Sequence, residues 1–229
     1  MKIIELVDIC KTYVLGKTEV NALSSVSIKI KKGEVAAIAG PSGSGKTSLL
    51  NILGLIDKPD SGSFLLHGRD ITTVPLNQLS GLRRGTIGFV FQTFNLIPVF
   101  NAFENVEYPL SFTHASKKAR KERVEHLLQL VGISELARHR PYEMSGGQRQ
   151  RVAIARALVN SPEVVLADEP TANLDSRTGA EILAQMRILN RELQVTFIFA
   201  SHDPLVLDAV DRTIYLHDGR IVEGDRCRS

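Results

Sequence analysis

The sequence predicts an α/β fold: a mainly parallel sheet flanked by helices, with a helical lobe inserted between its two halves. Three observations predict it. Apolar runs alternate with helical patterns in the last third of the chain; "EVAAIAG" passes through a glycine-rich loop into the helical "GKTSLLNILGLI"; and between Phe94 and Asn160 the patterns are helical with no convincing strand. A parallel strand needs a crossover to reach its neighbour, so strands that alternate with helices imply a parallel sheet. The sheet-containing lobe is then about 1–92 and 161–229, and the helical lobe about 93–160, within one domain.

Taken in order, "IIELVDI" and "SSVSIKI" alternate like strands with one buried face, separated by the polar "KTYVLGKTEVNA". "EVAAIAG" is a short apolar run ending at glycine, as a strand buried on both faces reads. After the loop, Leu49, Leu50, Leu53 and Ile56 recur at helical spacing. The stretch from Ala115 to Val131 starts charged and then sets Val124, Leu127, Leu128 and Val131 on one helical face; another helix opens at Gly146. "VVLAD", "VTFIFAS" and "RTIYL" complete the sheet, alternating with the helical "AEILAQMRILNREL".

Composition excludes several classes. A chain of 229 residues with 43% hydrophobic and 23% charged residues has the composition of a globular domain, not a disordered one. The net charge of +3 does not support nucleic-acid binding, and the basic "KKARKERVEH" and "RRG" read as solvated helix faces. Cys10 and Cys227 have no partners at zinc spacing, which points to a reducing compartment. The N-terminus lacks the apolar core of a signal peptide, and no run approaches the ~20 apolar residues of a membrane span. A membrane role would therefore work through another chain.

"GPSGSGKT", from Gly40 to Thr47, matches G-x-x-x-x-G-K-[ST] between a predicted strand and helix. In that context Gly40, Pro41, Ser42, Gly43, Ser44 and Gly45 form a phosphate cradle that continues into Ser48, in which Pro41 shapes the loop and the other residues offer backbone N–H groups. Lys46 reaches the β and γ phosphates, and the Thr47 hydroxyl binds Mg²⁺. "VVLADEP" delivers Asp168 and Glu169 at the C-terminal end of an apolar strand, where ligands of parallel sheets bind. Asp168 is assigned to Mg²⁺ through water, and Glu169 to the attacking water as general base. Gln92 and His202 end two further apolar runs. Gln92 is placed to orient water or sense Mg²⁺, and His202 to contact the γ phosphate.

Tyr13, in a polar turn, either stacks on a nucleobase or packs on its strand neighbours. No N-K-x-D guanine-reading motif occurs, so the base expected is adenine. A second anion site, "MSGGQ", opens a helix with Ser145 and the N–H groups of Gly146 and Gly147, followed by Gln148.

With Tyr13, "GPSGSGKT", Gln92, "MSGGQ", "VVLADE", "NLD" and His202 in this order, the chain resembles the nucleotide-binding subunit of an ATP-binding cassette (ABC) transporter, nearly end to end. The resemblance implies a RecA-like P-loop NTPase core, an N-terminal antiparallel β region and an inserted α-helical subdomain. It also implies ATP and Mg²⁺ as ligands, and a head-to-tail homodimer. In such a dimer the Ser145–Gln148 turn of one copy contacts the γ phosphate on the other's loop, and Asp175 communicates between the two sites. Two departures are visible: Met144 stands where leucine is usual, and Asn173 where a small residue is common.

"RRGTIGFVFQTFNLIPVFNAFENVEYPL" is similar to the branch that contains the lipoprotein-releasing ATPase LolD, the macrolide exporter MacB and the cell-division ATPase FtsE. That resemblance implies a separate membrane permease as partner and a peripheral position on the cytoplasmic face of the inner membrane. The apolar Phe94, Leu96, Ile97, Val99 and Phe100 either line the permease groove or belong to the core. An FtsE-like role in cell division remains an alternative. A soluble ABC protein acting on nucleic acid or ribosomes is a further one, against which stands the lack of a cysteine pair between Lys46 and Ser145.

Overall fold

The computed structural model describes residues 1–16 and 18–227. In chain order, β1 (Lys2–Leu15) and β2 (Thr18–Lys31) form a long hairpin, followed by β3 (Val35–Ala39), α1 (Lys46–Leu53), β4 (Ser61–Leu66), β5 (Arg69–Asp70), α2 (Leu76–Thr86) and β6 (Ile87–Val90). Three helices follow: α3 (Ala102–Glu107), α4 (Lys117–Leu130) and α5 (Gly146–Leu158). The chain then alternates through β7 (Val164–Asp168), α6 (Ser176–Leu193), β8 (Thr196–Ala200), α7 (Pro204–Asp208), β9 (Arg212–His217) and β10 (Arg220–Cys227).

The predicted fold class holds. A six-stranded sheet of order β10-β9-β3-β8-β7-β6 is parallel from β9 to β6, and a four-stranded antiparallel sheet has the order β2-β1-β4-β5. Because side chains alternate faces along a strand, each central strand feeds two cores. Val35, Ala37, Val165, Ala167, Phe197 and Phe199 meet the buried faces of α4, α5 and α6. Ala36, Ile38, Val164, Leu166, Ile198 and Ala200 meet α1 and the antiparallel sheet. Burial on both faces is why these strands read as unbroken apolar runs, each fully buried Val, Leu or Ile contributing roughly 1.5–3 kcal/mol.

Three local expectations are corrected. The polar stretch 11–22 is not a loop: Thr12 pairs with Asn21, Tyr13 with Val20 and Leu15 with Thr18, so Tyr13 lies in β1 rather than in a turn. The alternation fails there because this end of the hairpin is largely exposed and the ladder is broken by register shifts, with Asp8 and Ser25 at φ 51° and 50°. Ile56 does not extend the buried face of α1; that helix ends at Leu53, the chain turns through Leu55 at φ 56°, and Ile56 is exposed. Two strands and a helix, β4, β5 and α2, fill the stretch 61–86, where no element was predicted.

Between β6 and β7 the described residues hold helices and turns, with Val124, Leu127, Leu128 and Val131 all buried as their spacing predicts. Lys118 and Lys121 of α4 form exposed i,i+4 pairs with Glu122 and Glu125, as a solvated face does, whereas Arg123 is half-buried and donates to the Leu158 and Val159 carbonyls and the Ser161 hydroxyl. A fully buried Asn105 on α3 fixes the preceding loop: its Oδ1 accepts the Ile97 N–H at 2.7 Å, and its Nδ2 donates to the carbonyls of Ile97, Phe100 and Asn101. No helix among the described residues is long and apolar enough to cross a membrane.

Candidate nucleotide-binding site

At the carboxyl ends of β3, β7 and β8 the loops open a cleft of about 560 Å³, lined by Tyr13, Pro41, Ser42, Gly43, Gly45, Lys46, Thr47, Ser48, Gln92, Asp168, Glu169 and His202 together with Val20, Asn21, Ala22 and Ala172. The phosphate loop is shaped by close approach. Gly45, at φ 101°, passes so near β2 that a Cβ would lie 2.4 Å from the Ala22 carbonyl oxygen. Lys46 begins α1 and donates to the carbonyls of Gly40 (2.7 Å) and Pro41 (2.9 Å), so its ammonium lies across the mouth of the loop. Ser44 is buried beneath the loop, whereas Ser42 and Thr47 are exposed to the cleft.

Across from the loop, β7 ends in Asp168, half-buried and paired in register with Ala200 of β8. Burial pushes the Asp168 carboxyl above its ordinary pKa, Glu169 adds to the rise, and Lys46 opposes it. A carboxylate so placed gains from a nearby cation. Glu169 sits in left-handed backbone at φ 43°, a conformation that costs a non-glycine residue about 1–3 kcal/mol and is concentrated at functional sites. Its amide donates to Ala200 O at 2.9 Å. Its Oε2 accepts from the Ser201 hydroxyl at 2.6 Å, and its Oε1 lies 2.7 Å from His202 Nδ1.

Tyr13 reaches the cleft from β1 and donates its hydroxyl to Asp57 Oδ2 at 2.9 Å. Lys11 lies 5.2 Å from the ring centroid and bonds Asp57, Asp60 and the Lys58 carbonyl. Burial and Asp57 raise the Tyr13 phenol above its ordinary pKa, which keeps it a donor. The Tyr13 ring is thus held in place by its hydroxyl and by an ammonium on its face.

The turn expected to bind a second anion lies apart. Ser145 caps α5: its Oγ accepts from Gln148 N–H at 3.3 Å while Gln148 Oε1 accepts from Ser145 N–H at 2.8 Å. Beside it Asp175 caps α6, accepting from the Thr178 amide (2.9 Å) and hydroxyl (2.6 Å); those bonds hold its carboxyl below the ordinary pKa. Ser145, Gly146, Gly147, Gln148 and Asp175 do not line the cleft of their own chain.

The ABC transporter family model matches residues 23–172. The chain belongs to the ABC transporter family. It is an ATP-binding subunit of that family and an ATPase. It is 45% identical over 219 residues to the ABC transporter ATP-binding protein YknY of Bacillus subtilis, covering 96% of this chain and 95% of that one. It is 47% identical to the macrolide export ATP-binding/permease protein MacB of Syntrophobacter fumaroxidans, over 96% of this chain but 31% of MacB. The dimeric post-hydrolysis structure of the cassette MJ0796 bound to ADP and Pi superposes with a TM-score of 0.89 at 42% identity, covering 99% of this chain and 100% of that one. MJ0796 comes from Methanocaldococcus jannaschii.

Within this ABC cassette the structure adds residues that the motifs did not single out. Ser201 is one, and Asp57 with Lys11 are others; they contact Glu169 and Tyr13, although no sequence motif assigns them a role. The departure Asn173 donates to the Gln92 carbonyl at 2.8 Å, tying the loop before α6 to the loop after β6. Arg156 of α5 holds that same loop through the carbonyls of Phe94 and Asn95, and Arg149 stacks 5.1 Å from the Phe94 ring centroid. The apolar segment divides: Phe94 is buried and Leu96 packs on the core, whereas Val99 is 71% exposed. Phe100 joins the exposed Tyr108 and Phe112 in an aromatic patch, with centroid separations of 5.9 and 5.4 Å.

Proposed function

We propose that two copies of this chain close head to tail around two ATP molecules and drive a separate membrane permease of the lipoprotein-release or macrolide/peptide-export type. One observation carries the reading. The Ser145–Gln148 turn opens a helix, where backbone amides favour an anion, yet it lies outside the cleft of its own chain, so a nucleotide held in that cleft meets the turn of a second copy. The MJ0796 cassette, described as dimeric and bound to ADP and Pi, supports a nucleotide-bound dimer.

In this reading Lys46 and the loop amides bind the β and γ phosphates, and Tyr13 stacks on adenine. Thr47, Gln92 and Asp168 would hold Mg²⁺, which suits the half-buried Asp168 carboxylate; the ion would neutralise charge developing on the transferred phosphoryl group. Glu169 accepts the proton of the attacking water, whose oxygen bonds to the γ phosphorus as the bond to the bridging oxygen of ADP breaks. His202 shares Glu169 Oε1 and reaches toward the γ phosphate. Asp175, capping the helix next to the signature turn, relays between the two sites.

The exposed Val99 and the Phe100, Tyr108 and Phe112 rings supply an apolar surface for the permease. The protein then sits peripherally on the cytoplasmic face of the inner membrane. The test is recovery of partners by a tagged Glu169→Gln chain from detergent-solubilised membranes with Mg-ATP. A co-purifying permease with a large extracytoplasmic domain is expected. Ribosomal or DNA-bound partners alone would overturn the transporter reading.

A further inference from the structure

Ser201 follows β8 directly, is fully buried, and its amide donates to Ile38 O at 3.1 Å, so the sheet fixes its position. Its hydroxyl donates to Glu169 Oε2 at 2.6 Å and accepts the Asp203 N–H at 3.2 Å. Asp203 in turn accepts from the Thr171 hydroxyl at 3.1 Å and caps α7, so the acceptor side of Ser201 is tied to a rigid turn. The other group on the carboxylate is His202, whose side chain is 74% exposed. Of the two described side chains that hydrogen-bond to Glu169, Ser201 is the one locked by its surroundings.

We propose that Ser201 is a positioning residue for ATP hydrolysis: its buried hydroxyl holds Glu169 Oε2 and leaves Oε1 as the oxygen that takes the proton of the attacking water. The inference rests on the reading of Glu169 as general base. The terminal torsion of a glutamate is soft, so an untethered carboxylate samples a broad range of orientations. A charge-assisted O–H···O⁻ bond at 2.6 Å falls in the short, strong range and removes that freedom. Ser201 itself does not line the cleft, so its loss leaves the nucleotide contacts intact.

The experiment compares Ser201→Ala and Ser201→Thr in the full chain, alone and combined with Glu169→Gln, by steady-state hydrolysis, ATP binding and ATP-dependent dimer formation. Ser201→Ala is expected to lower kcat on the order of tenfold to a hundredfold, the loss of one hydrogen bond to a charged group, with KM and ATP affinity unchanged. Ser201→Thr, which keeps the hydroxyl, restores kcat. Added to Glu169→Gln, Ser201→Ala lowers the residual rate no further, because the oxygen it positions no longer takes a proton.

Wild-type kcat in Ser201→Ala beside an inactive Glu169→Gln overturns the positioning role and leaves the base assignment standing. Wild-type kcat in Glu169→Gln removes the base assignment itself. Equal kcat losses in Ser201→Ala and Ser201→Thr, accompanied by a lower Tm, make Ser201 a packing residue and also overturn the proposal.

Discussion

Glu169→Gln is expected to lower ATP turnover by about 10²–10⁴-fold while the protein still binds ATP and accumulates as a dimer. The amide is nearly isosteric with the carboxylate and can still engage Ser201 and His202, so the local structure survives. What it loses is the capacity to accept a proton. It also loses a negative charge beside Asp168, which lowers the electrostatic cost of bringing a polyphosphate into the cleft. Steady-state hydrolysis and light scattering at micromolar protein with saturating Mg-ATP read both effects. Retained wild-type turnover, or monomer only in the presence of bound ATP, would count against the scheme.

The second large effect is expected at the signature turn. Gly147 is buried where α5 and α6 start side by side, and a Cβ there would lie 2.5 Å from Thr178 Cγ2. Gly147→Val therefore drives the two helix starts apart, disturbing the Ser145–Gln148 capping pair and the Asp175–Thr178 cap together. Overpacking of this kind costs about 1–3 kcal/mol, and Tm falls by roughly 2–4 °C for each of those kcal/mol in a chain of this size. The nucleotide cleft of the same chain is not touched. ATP affinity of the monomer is thus expected to persist while ATP-driven dimerisation and hydrolysis disappear. Gly81→Ala, also on a helix but with open space around it, serves as the neutral control. Loss of ATP binding in Gly147→Val monomer, with the fold intact, would place the turn in its own chain's site.

The parts of this cassette that were legible in the sequence are those whose reasons are local. "VVLAD" reads as a strand because β7 is buried on both faces, and the strand–loop–helix around Lys46 is legible because its glycines, strand and helix adjoin in sequence. The helix opening at Gly146 is local as well, although the Ser145–Gln148 capping pair that starts it was not singled out. What escaped depends on distant partners. Ser201 meets Glu169 across 32 positions, Tyr13 meets Asp57 across 44, and Asn173 meets Gln92 across 81. A serine beside a histidine or an aspartate in a turn carries no sign of such partners until the sheet brings them together. The hairpin around Tyr13 escaped for another reason: an exposed, bulged ladder has no buried face to impose alternation.

The central claim, that the signature turn of one copy completes the nucleotide site of another, is tested most directly by cross-linking two differently marked chains. Ser42 at the phosphate loop and Ser145 at the signature turn are both exposed, so each accepts a cysteine in a background lacking Cys10 and Cys227 and carrying Glu169→Gln. Ser42→Cys chains mixed with Ser145→Cys chains, treated with a short bifunctional maleimide, are predicted to give a covalent heterodimer with Mg-ATP and none without nucleotide, while neither chain alone cross-links. Covalent dimers from Ser42→Cys chains alone, or no cross-link in the mixture while ATP is bound, would contradict the account.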